Sequence, residues 1–400
     1  MAKALKIGIG VHGRFHAFGL ASGLLALGHD VYVFTNYPAS AAARFGLPID
    51  RVRSFLLHGL AVRCLARLGV TQRFPRLDAL MHTWFACWLS RRLTAECWDL
   101  TYTWSSVSLE YLKAKRTSTV RLIARGSTHI REQWKLLQDE EARSGCFVDK
   151  PTEEIMQREQ SEYELADGVI VLSSFSRDTF LQAGVAADKV HLMVSAVNVS
   201  EFAVTEVARE ARQQRLYSSQ PLRVLSVGTF SFRKGALDMV EIVRRLSSEG
   251  IVFRFVGTVA TEAEELARSL TGKMEFVPRV PQSALKAHYE WGDVFVLPSI
   301  EEGLAAVLPQ AKAAGLFILA TPNSGAGDVV TPGFDGWILP ARDPRAFVDQ
   351  LLWIKNERQR LSATMQQQAA QLLNRGWSDA AQDFAGICHQ VCAKKQDSSM

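Results

Sequence analysis

A chain of 400 residues exceeds one ordinary core, and 48% hydrophobic against 22% charged residues is a globular balance that excludes a disordered chain. The net charge of +5 comes without a nucleic-acid recognition motif, no uncharged apolar run approaches the roughly 18 residues of a membrane span, and the start MAKALKIGIGVHG turns to glycine before a signal-peptide core develops. Nucleic acid, a membrane span and secretion are set aside, and a cytoplasmic chain of two domains is expected.

Six short β-rich runs alternate with helical stretches in the first half: Leu5–Ile9, Val31–Thr35, Leu100–Trp104, Val120–Ala124, Val169–Leu172 and Val190–Val194. Between the first two, Phe18, Ala21, Leu24, Leu25 and Leu27 keep helical spacing until Gly28 ends the run. From Ser200 to Pro221 the pattern dissolves into polar and charged residues, a linker with room for a short helix. Alternation then restarts with Arg223–Val227, Val252–Val256, Met274–Val277, Val294–Leu297, Phe317–Ala320 and Trp337–Leu339. Such βα alternation predicts an α/β protein with two Rossmann-like, doubly wound domains, at 1–200 and 222–374, joined by the linker 201–221. A last helix and tail follow at 375–400. Ligands of such sheets bind beyond the carboxyl ends of the strands, so the cleft between the domains is the expected site.

Two features stand apart from this alternation. Cys388 and Cys392 share a helix face, but two thiols without further ligands make a poor zinc site, and reduced, idle thiols are the expectation for all six cysteines. From Arg51 to Ala95 eight arginines (51, 53, 63, 67, 73, 76, 91 and 92) face one acid, Asp78, and are interleaved with Phe55, Leu56, Leu57, Phe74, Trp84, Phe85 and Trp88. A basic amphipathic stretch of this kind fits an anionic membrane face or an anionic lipid phosphate, and equally a solvated helical face over an ordinary core.

The sharpest local pattern is PSIEEGLAAVLPQAKAAG at 298–315. A strand ends at Ser299, a turn holds Glu302 and Gly303, and a helix is expected to follow. Backbone N–H groups at such an entry suit phosphate and sugar oxygens, Glu302 can accept from a sugar diol, and Gln310 would stand ~12 Å along that helix. The loop GVHGRFH at 10–16 follows the first strand, with Gly10 and Gly13 letting backbone come close to a ligand.

The 298–315 stretch resembles the C-terminal signature of the family 4 retaining glycosyltransferases, the group 1 transferases of GT-B fold. SVGTFSFRKGALDMVEIV at 226–243 is similar to that family's Val-Gly, Lys-Gly and helix segment. VLSSFSRDTF at 171–180, KVHLMVSAVNVSEF at 189–202 and SGAGDVVTPGFDGWILPARDP at 324–344 resemble further family segments, and Trp377 stands where the family's crossover helix returns to the first domain. The resemblance implies an acceptor-side first domain and a second domain that binds a nucleotide diphosphate sugar. Lys234 would then bind the diphosphate, and Glu302 with the backbone of Gly303, Leu304 and Ala305 would hold the donor sugar, with Ser299 at the strand end. Gln310 stands where a second Glu holds the ribose. In the first domain either Arg125 or His129 would reach the donor sugar. It implies retention without a protein nucleophile, no metal, and no cofactor beyond the donor substrate. The expected acceptor is a glycan or a lipid-linked intermediate of envelope or exopolysaccharide synthesis, placing the protein in the cytoplasm or on the inner face of the cytoplasmic membrane.

This sequence departs from the family pattern at several points. Gln310 replaces the second Glu, Thr229 replaces a common Arg, Asp328 a Glu and Ala196 a Gly. Arg233, beside Lys234, is a candidate to replace the cation lost at Thr229. These departures keep two other readings open: a non-catalytic GT-B scaffold or partner subunit, and a sugar-nucleotide 2-epimerase on the same scaffold.

Overall fold

The computed structural model describes residues 3–68, 75–115, 118–194, 196–369 and 375–397. Strands rich in Val, Ile, Leu and Phe, buried on both faces, are what an all-parallel sheet covered by helices demands, and two such sheets form. The first runs β3-β2-β1-β4-β5-β6-β7, with β1 Lys6–Val11, β2 Asp30–Thr35, β3 Val52–Ser54, β4 Leu100–Trp104, β5 Val120–Arg125, β6 Gly168–Val171 and β7 Val190–Leu192. The second runs β10-β9-β8-β11-β12-β13, with β8 Leu222–Phe230, β9 Ile251–Val259, β10 Met274–Pro278, β11 Val294–Leu297, β12 Phe317–Ala320 and β13 Gly336–Ile338. In each sheet the strand order reverses beside the first strand, between β1 and β4 and between β8 and β11. That reversal opens a crevice at the carboxyl ends.

β3 was not among the expected strands: it is three residues long and lies inside the arginine-rich stretch, where charge masks the pattern. The helix Pro75–Thr94 from the same stretch seats directly on β1. A Cβ at Gly10 would lie 2.7 Å from the Leu89 methyls, so this glycine makes room for the helix. Arg73 and Phe74 lie outside the described residues.

The segment expected to link the domains carries the helix Glu206–Tyr217. Its Arg212 is 2% exposed and donates to the carbonyls of Tyr289, Ala314 and Gly315, which ties the helix to the second sheet's layer. The last helix, Trp377–Asp397, crosses back to the helix Ala17–Ala26. Gly19 lets the Trp377 ring lie against it, where a Cβ would come within 2.3 Å. Phe384 packs on Tyr102 at 4.7 Å, and Lys395 reaches Asp167 at 2.6 Å. No described helix is long and apolar enough to cross a membrane.

Candidate functional site

Two loops at the carboxyl ends of β8 and β11 build the second domain's wall. β8 runs into the 3-10 turn Phe232–Lys234, and β11 runs into Pro298-Ser299-Ile300-Glu301-Glu302-Gly303. The Arg233 carbonyl accepts from Ile300 N at 2.9 Å and Glu301 N at 3.3 Å, which stitches the loops together. Two cations then face two acids. Lys234 pairs with Glu302, which also accepts from Ser299 Oγ at 3.1 Å. Arg233 Nε donates to Glu301 Oε2 at 2.8 Å.

The two pairs point to different places. Glu301 has no solvent exposure and meets the first domain, accepting from Thr128 N at 3.0 Å, Thr128 Oγ1 at 2.7 Å, Ser127 Oγ at 2.5 Å and Gln133 Nε2 at 3.1 Å. Burial penalises its charge, but Arg233 and the donors from Ser127 and Thr128 outweigh that penalty and hold its pKa at about 2. Further contacts cross the same boundary: Ser173 Oγ donates to the Gly303 carbonyl, and Ser174 donates from N and Oγ to Asp328 at 2.7 and 2.6 Å. Farther along, Arg143 pairs with Asp238 at 2.6 Å and Arg342 with Glu140 at 3.2 Å. A Cβ on Gly303 would sit 2.3 Å from the Gly126 carbonyl, so only glycine permits this approach of the two walls.

Several expected roles change in this geometry. Arg233, the candidate to replace the cation missing at Thr229, has Nε and Nη2 engaged by the buried Glu301 carboxylate and by Ser127 Oγ (3.2 Å), with 36% of its side chain left exposed. Thr229 itself is exposed, meets Thr258 at 3.3 Å, and borders a hollow shared with Lys234, Met239 and Pro298. The helix after Gly303 starts only at Val307, so Gln310 lies in its first turn and the ~12 Å helical spacing from Glu302 does not apply. Gln310 Oε1 accepts from Tyr289 Oη at 2.8 Å. Of the three backbone groups expected at the sugar, Ala305 N is committed to Ser324 O at 3.0 Å, whereas Gly303 and Leu304 form the turn itself.

In the first domain Arg125 lies at the end of β5 with its guanidinium pinned by Glu159 (2.9 Å), Gln133 (2.6 Å) and the Thr128 carbonyl (2.9 Å). It shapes the 126–129 turn that carries Ser127 and Thr128. His129 caps the helix Ile130–Ser144 and is turned into the core between Tyr163 and Phe180, at 5.1 and 5.0 Å. Burial, with Arg125 and Arg131 nearby, lowers its pKa to about 4. Neither of the two alternatives presents a free side chain to Glu302; the turn presents Ser127 and Thr128 to Glu301 instead.

Gly13, in the loop after β1, has φ +116°, with its N–H on Asn36 Oδ1 and its carbonyl accepting from Thr35 Oγ1, both at 2.8 Å. Around it lies a group that sequence reasoning passed over. His16 Nε2 is 3.2 Å from Tyr102 Oη, the exposed Phe15 stacks over Trp104 at 6.2 Å, and His12 meets His82 at 4.8 Å. Burial, then His82 and His58, lowers the pKa of His12 to about 3, and burial lowers that of His16 to about 4. Both are neutral near pH 7. Among the described residues no group of three or more His, Cys, Asp or Glu is placed to hold a metal ion.

Two parallel Rossmann-like sheets, with a cation and an acid converging where β8 and β11 end, define a GT-B type of protein. Residues 14–201 match the model of Glycosyltransferase Family 4, and residues 207–372 match that of the Glycosyl transferases group 1. The chain belongs to this glycosyltransferase family. It is 24% identical over 220 residues to the putative colanic acid biosynthesis glycosyltransferase WcaL of Escherichia coli K12, covering 51% of this chain and 52% of that one. To the amylovoran biosynthesis glycosyltransferase AmsK of Erwinia amylovora it is 30% identical over 145 residues, 33% of this chain and 36% of that one. The matches thus span about half or less of these relatives. Among solved structures, Anabaena Alr3699/HepE in complex with UDP superposes with a TM-score of 0.66 at 13% identity, covering 96% of this chain and 99% of that one. Sucrose-phosphate synthase from Thermosynechococcus elongatus gives 0.64 at 18%, covering 97% and 99%. At these identities the likeness concerns the fold.

Proposed function

We propose that the protein is a retaining glycosyltransferase that moves a hexosyl group from a nucleotide diphosphate sugar to a glycan or lipid-linked acceptor. The observation that carries this reading is the Lys234–Glu302 pair at the adjoining ends of β8 and β11, at the second sheet's switch point. As the bond from the anomeric carbon to the diphosphate oxygen breaks, negative charge grows on the leaving group. Lys234 neutralises that charge, a task that in other transferases falls to a metal ion. Glu302, released from Lys234 by the arriving diphosphate, accepts from sugar hydroxyls. The acceptor oxygen forms the new bond on the same face, and its proton leaves on the nucleoside diphosphate, so no protein nucleophile is required.

The named roles of WcaL and AmsK in colanic acid and amylovoran biosynthesis favour an acceptor from envelope or exopolysaccharide synthesis, and the UDP held by the Anabaena structure favours a nucleotide donor. The corresponding workplace is the cytoplasm, at the inner face of the cytoplasmic membrane. One observation favours a second, non-catalytic reading as a scaffold or partner subunit: Gln310 and Ala305 N, two expected donor contacts, already have partners in Tyr289 and Ser324.

Thermal stabilisation against a panel of UDP-, GDP-, ADP- and dTDP-sugars tests the reading. A ligand at 100 times its dissociation constant adds about 2.7 kcal/mol. A shift with one donor, lost in Lys234→Ala and Glu302→Ala and accompanied by nucleoside diphosphate release with acceptor, supports transfer. A shift without turnover supports the second reading, and no shift with any donor rejects donor binding at this pair.

A further inference from the structure

The geometry points to a membrane-docking face on the first domain, formed by the helix Leu56–Arg67 and its flanks, whose partner is an anionic phospholipid surface. The inner side of this helix is fixed: His58 Nε2 meets the Met81 carbonyl at 3.0 Å, and a Cβ on Gly59 would lie 2.2 Å from the Asn36 carbonyl. Its outer side carries large aliphatic groups in the open. Leu56, Leu57 and Leu60 are 48, 64 and 56% exposed, Leu68 just beyond the helix is 74% exposed, and Leu80 on the facing helix Pro75–Thr94 is 60% exposed. The i, i+4 steps place Leu56, Leu60 and Cys64 on one stripe, with Leu57 beside it, and Arg63 and Arg67 are exposed on the same helix.

Phe55, Trp84, Phe85 and Trp88, conspicuous in the sequence of this stretch, do not form the face. Phe55 stacks on Trp88 at 5.1 Å and meets Trp84 edge-on at 5.1 Å, and Phe85 is fully buried. They form the bed on which the helix rests. What faces water is leucine ringed by arginine, in a segment whose sole acid between Arg51 and Ala95 is Asp78. A soluble surface has no use for a row of open leucines, and an acidic protein surface would match the arginines but leave the leucines wet. A bilayer interface offers both layers at the right spacing, acyl chains for the leucines and phosphates one side-chain length higher for the arginines.

The face is also wired to the loop that borders the cleft. Asn36 accepts from Gly13 N at 2.8 Å and lies 3.3 Å from His58 Nδ1, so one side chain joins the helix to the loop after β1. Docking through this helix sets that loop beside the lipid surface. The inference rests on the transferase reading only for the class of acceptor, a lipid-linked one; the docking itself is measured without it.

Flotation of the full chain with vesicles tests it, using phosphatidylcholine alone and an equimolar mixture with phosphatidylglycerol. Binding is expected to the anionic vesicles only and to weaken as salt rises. It should fall about fivefold for each of Arg63→Gln and Arg67→Gln and vanish in the double variant Leu57→Glu/Leu60→Glu, whose thermal midpoint and donor-induced shift stay as in the parent. No flotation by the parent protein overturns the proposal. So does a parent dimer in light scattering that Leu57→Glu/Leu60→Glu dissolves, which would make the face a contact between copies. Failure of flotation with the donor shift intact rejects the docking face alone, and loss of the donor shift with flotation intact rejects the donor site alone.

Discussion

Glu301 and Glu302 are neighbours in the chain, each paired with one of two neighbouring cations, yet their surroundings are opposite. Glu301 is sealed between the domains, where five donors from Ser127, Thr128, Gln133 and Arg233 surround it. Glu302 is buried as well, but among the described residues its hydrogen-bond partners are Lys234 and Ser299 on its own wall, and Lys234 keeps 26% of its side chain in solvent. A carboxylate with every lone pair taken is a fastener, and one held by a single half-open lysine can exchange that partner for a ligand. Because Arg233 precedes Lys234 and Glu301 precedes Glu302, the domain contact and the proposed donor pair are carried by the same two loops.

Substitution separates the two roles. Glu301→Ala strands Arg233 and several hydroxyl and amide donors in a buried contact, an expected loss of about 3–5 kcal/mol in urea unfolding. Glu302→Ala leaves Lys234 with access to water and strands no second buried cation, so stability should fall by clearly less than in Glu301→Ala, while turnover falls by about 100-fold or more. Equal stability losses in the two variants would erase the distinction between fastener and donor contact.

Acid titration sharpens the same contrast. The pKa of Glu301 is lowered in the folded state, to about 2 against an ordinary 4.5, so its contribution is present above pH 4.5 and is lost as pH falls from there towards 2. The shift corresponds to about 3 kcal/mol. His12, His16 and His129 are lowered to about 3, 4 and 4, so they remain neutral in the fold while the unfolded chain protonates, and their contribution declines as pH falls below 6.5; Glu162, raised to about 8 by burial and Glu159, acts in the opposite sense above pH 4.5, one group against three. Urea midpoints against pH should therefore fall below pH 6.5 and more steeply below 4.5, where Glu301 adds to the histidine-linked loss that runs on towards pH 3. Glu301→Gln should make the slope below pH 4.5 shallower and leave the slope above it; an unchanged slope below pH 4.5 would place the acid sensitivity elsewhere.

The strands and the two-sheet architecture were legible because parallel strands buried on both faces write themselves as short apolar runs, and all twelve expected runs became strands. Glu302 stood out by the strand–turn–helix pattern and Lys234 by the family resemblance, and the structure brings the two side chains together. Glu301 was not, because its donors lie some 170 residues away, although twinned acids opposite twinned cations were visible as a pattern. Gly10 and Gly13 look alike in sequence; only packing shows that the first seats Leu89 and the second turns a loop. The reach of Arg125 and His129 depends on rotamers and on Glu159, Tyr163 and Phe180, which no local pattern specifies. Likewise the 51–92 stretch announced its charge but not which of its apolar residues remain outside.

The smallest expected effect concerns Gln310. Its Oε1 already accepts from Tyr289 Oη, so the side chain is oriented by a second-wall phenol before any donor arrives. A carboxylate at this position keeps that acceptor and offers further lone pairs to two ribose hydroxyls, where the amide spends one end as a donor. Hydrogen bonds to a charged acceptor exceed neutral ones by about 1 kcal/mol. Gln310→Glu should accordingly tighten donor binding about fivefold in calorimetry, with stability and turnover nearly unchanged. Weaker binding would mean that the position does not meet the ribose, and that Tyr289 holds Gln310 for the packing of the helix Val307–Ala313 alone.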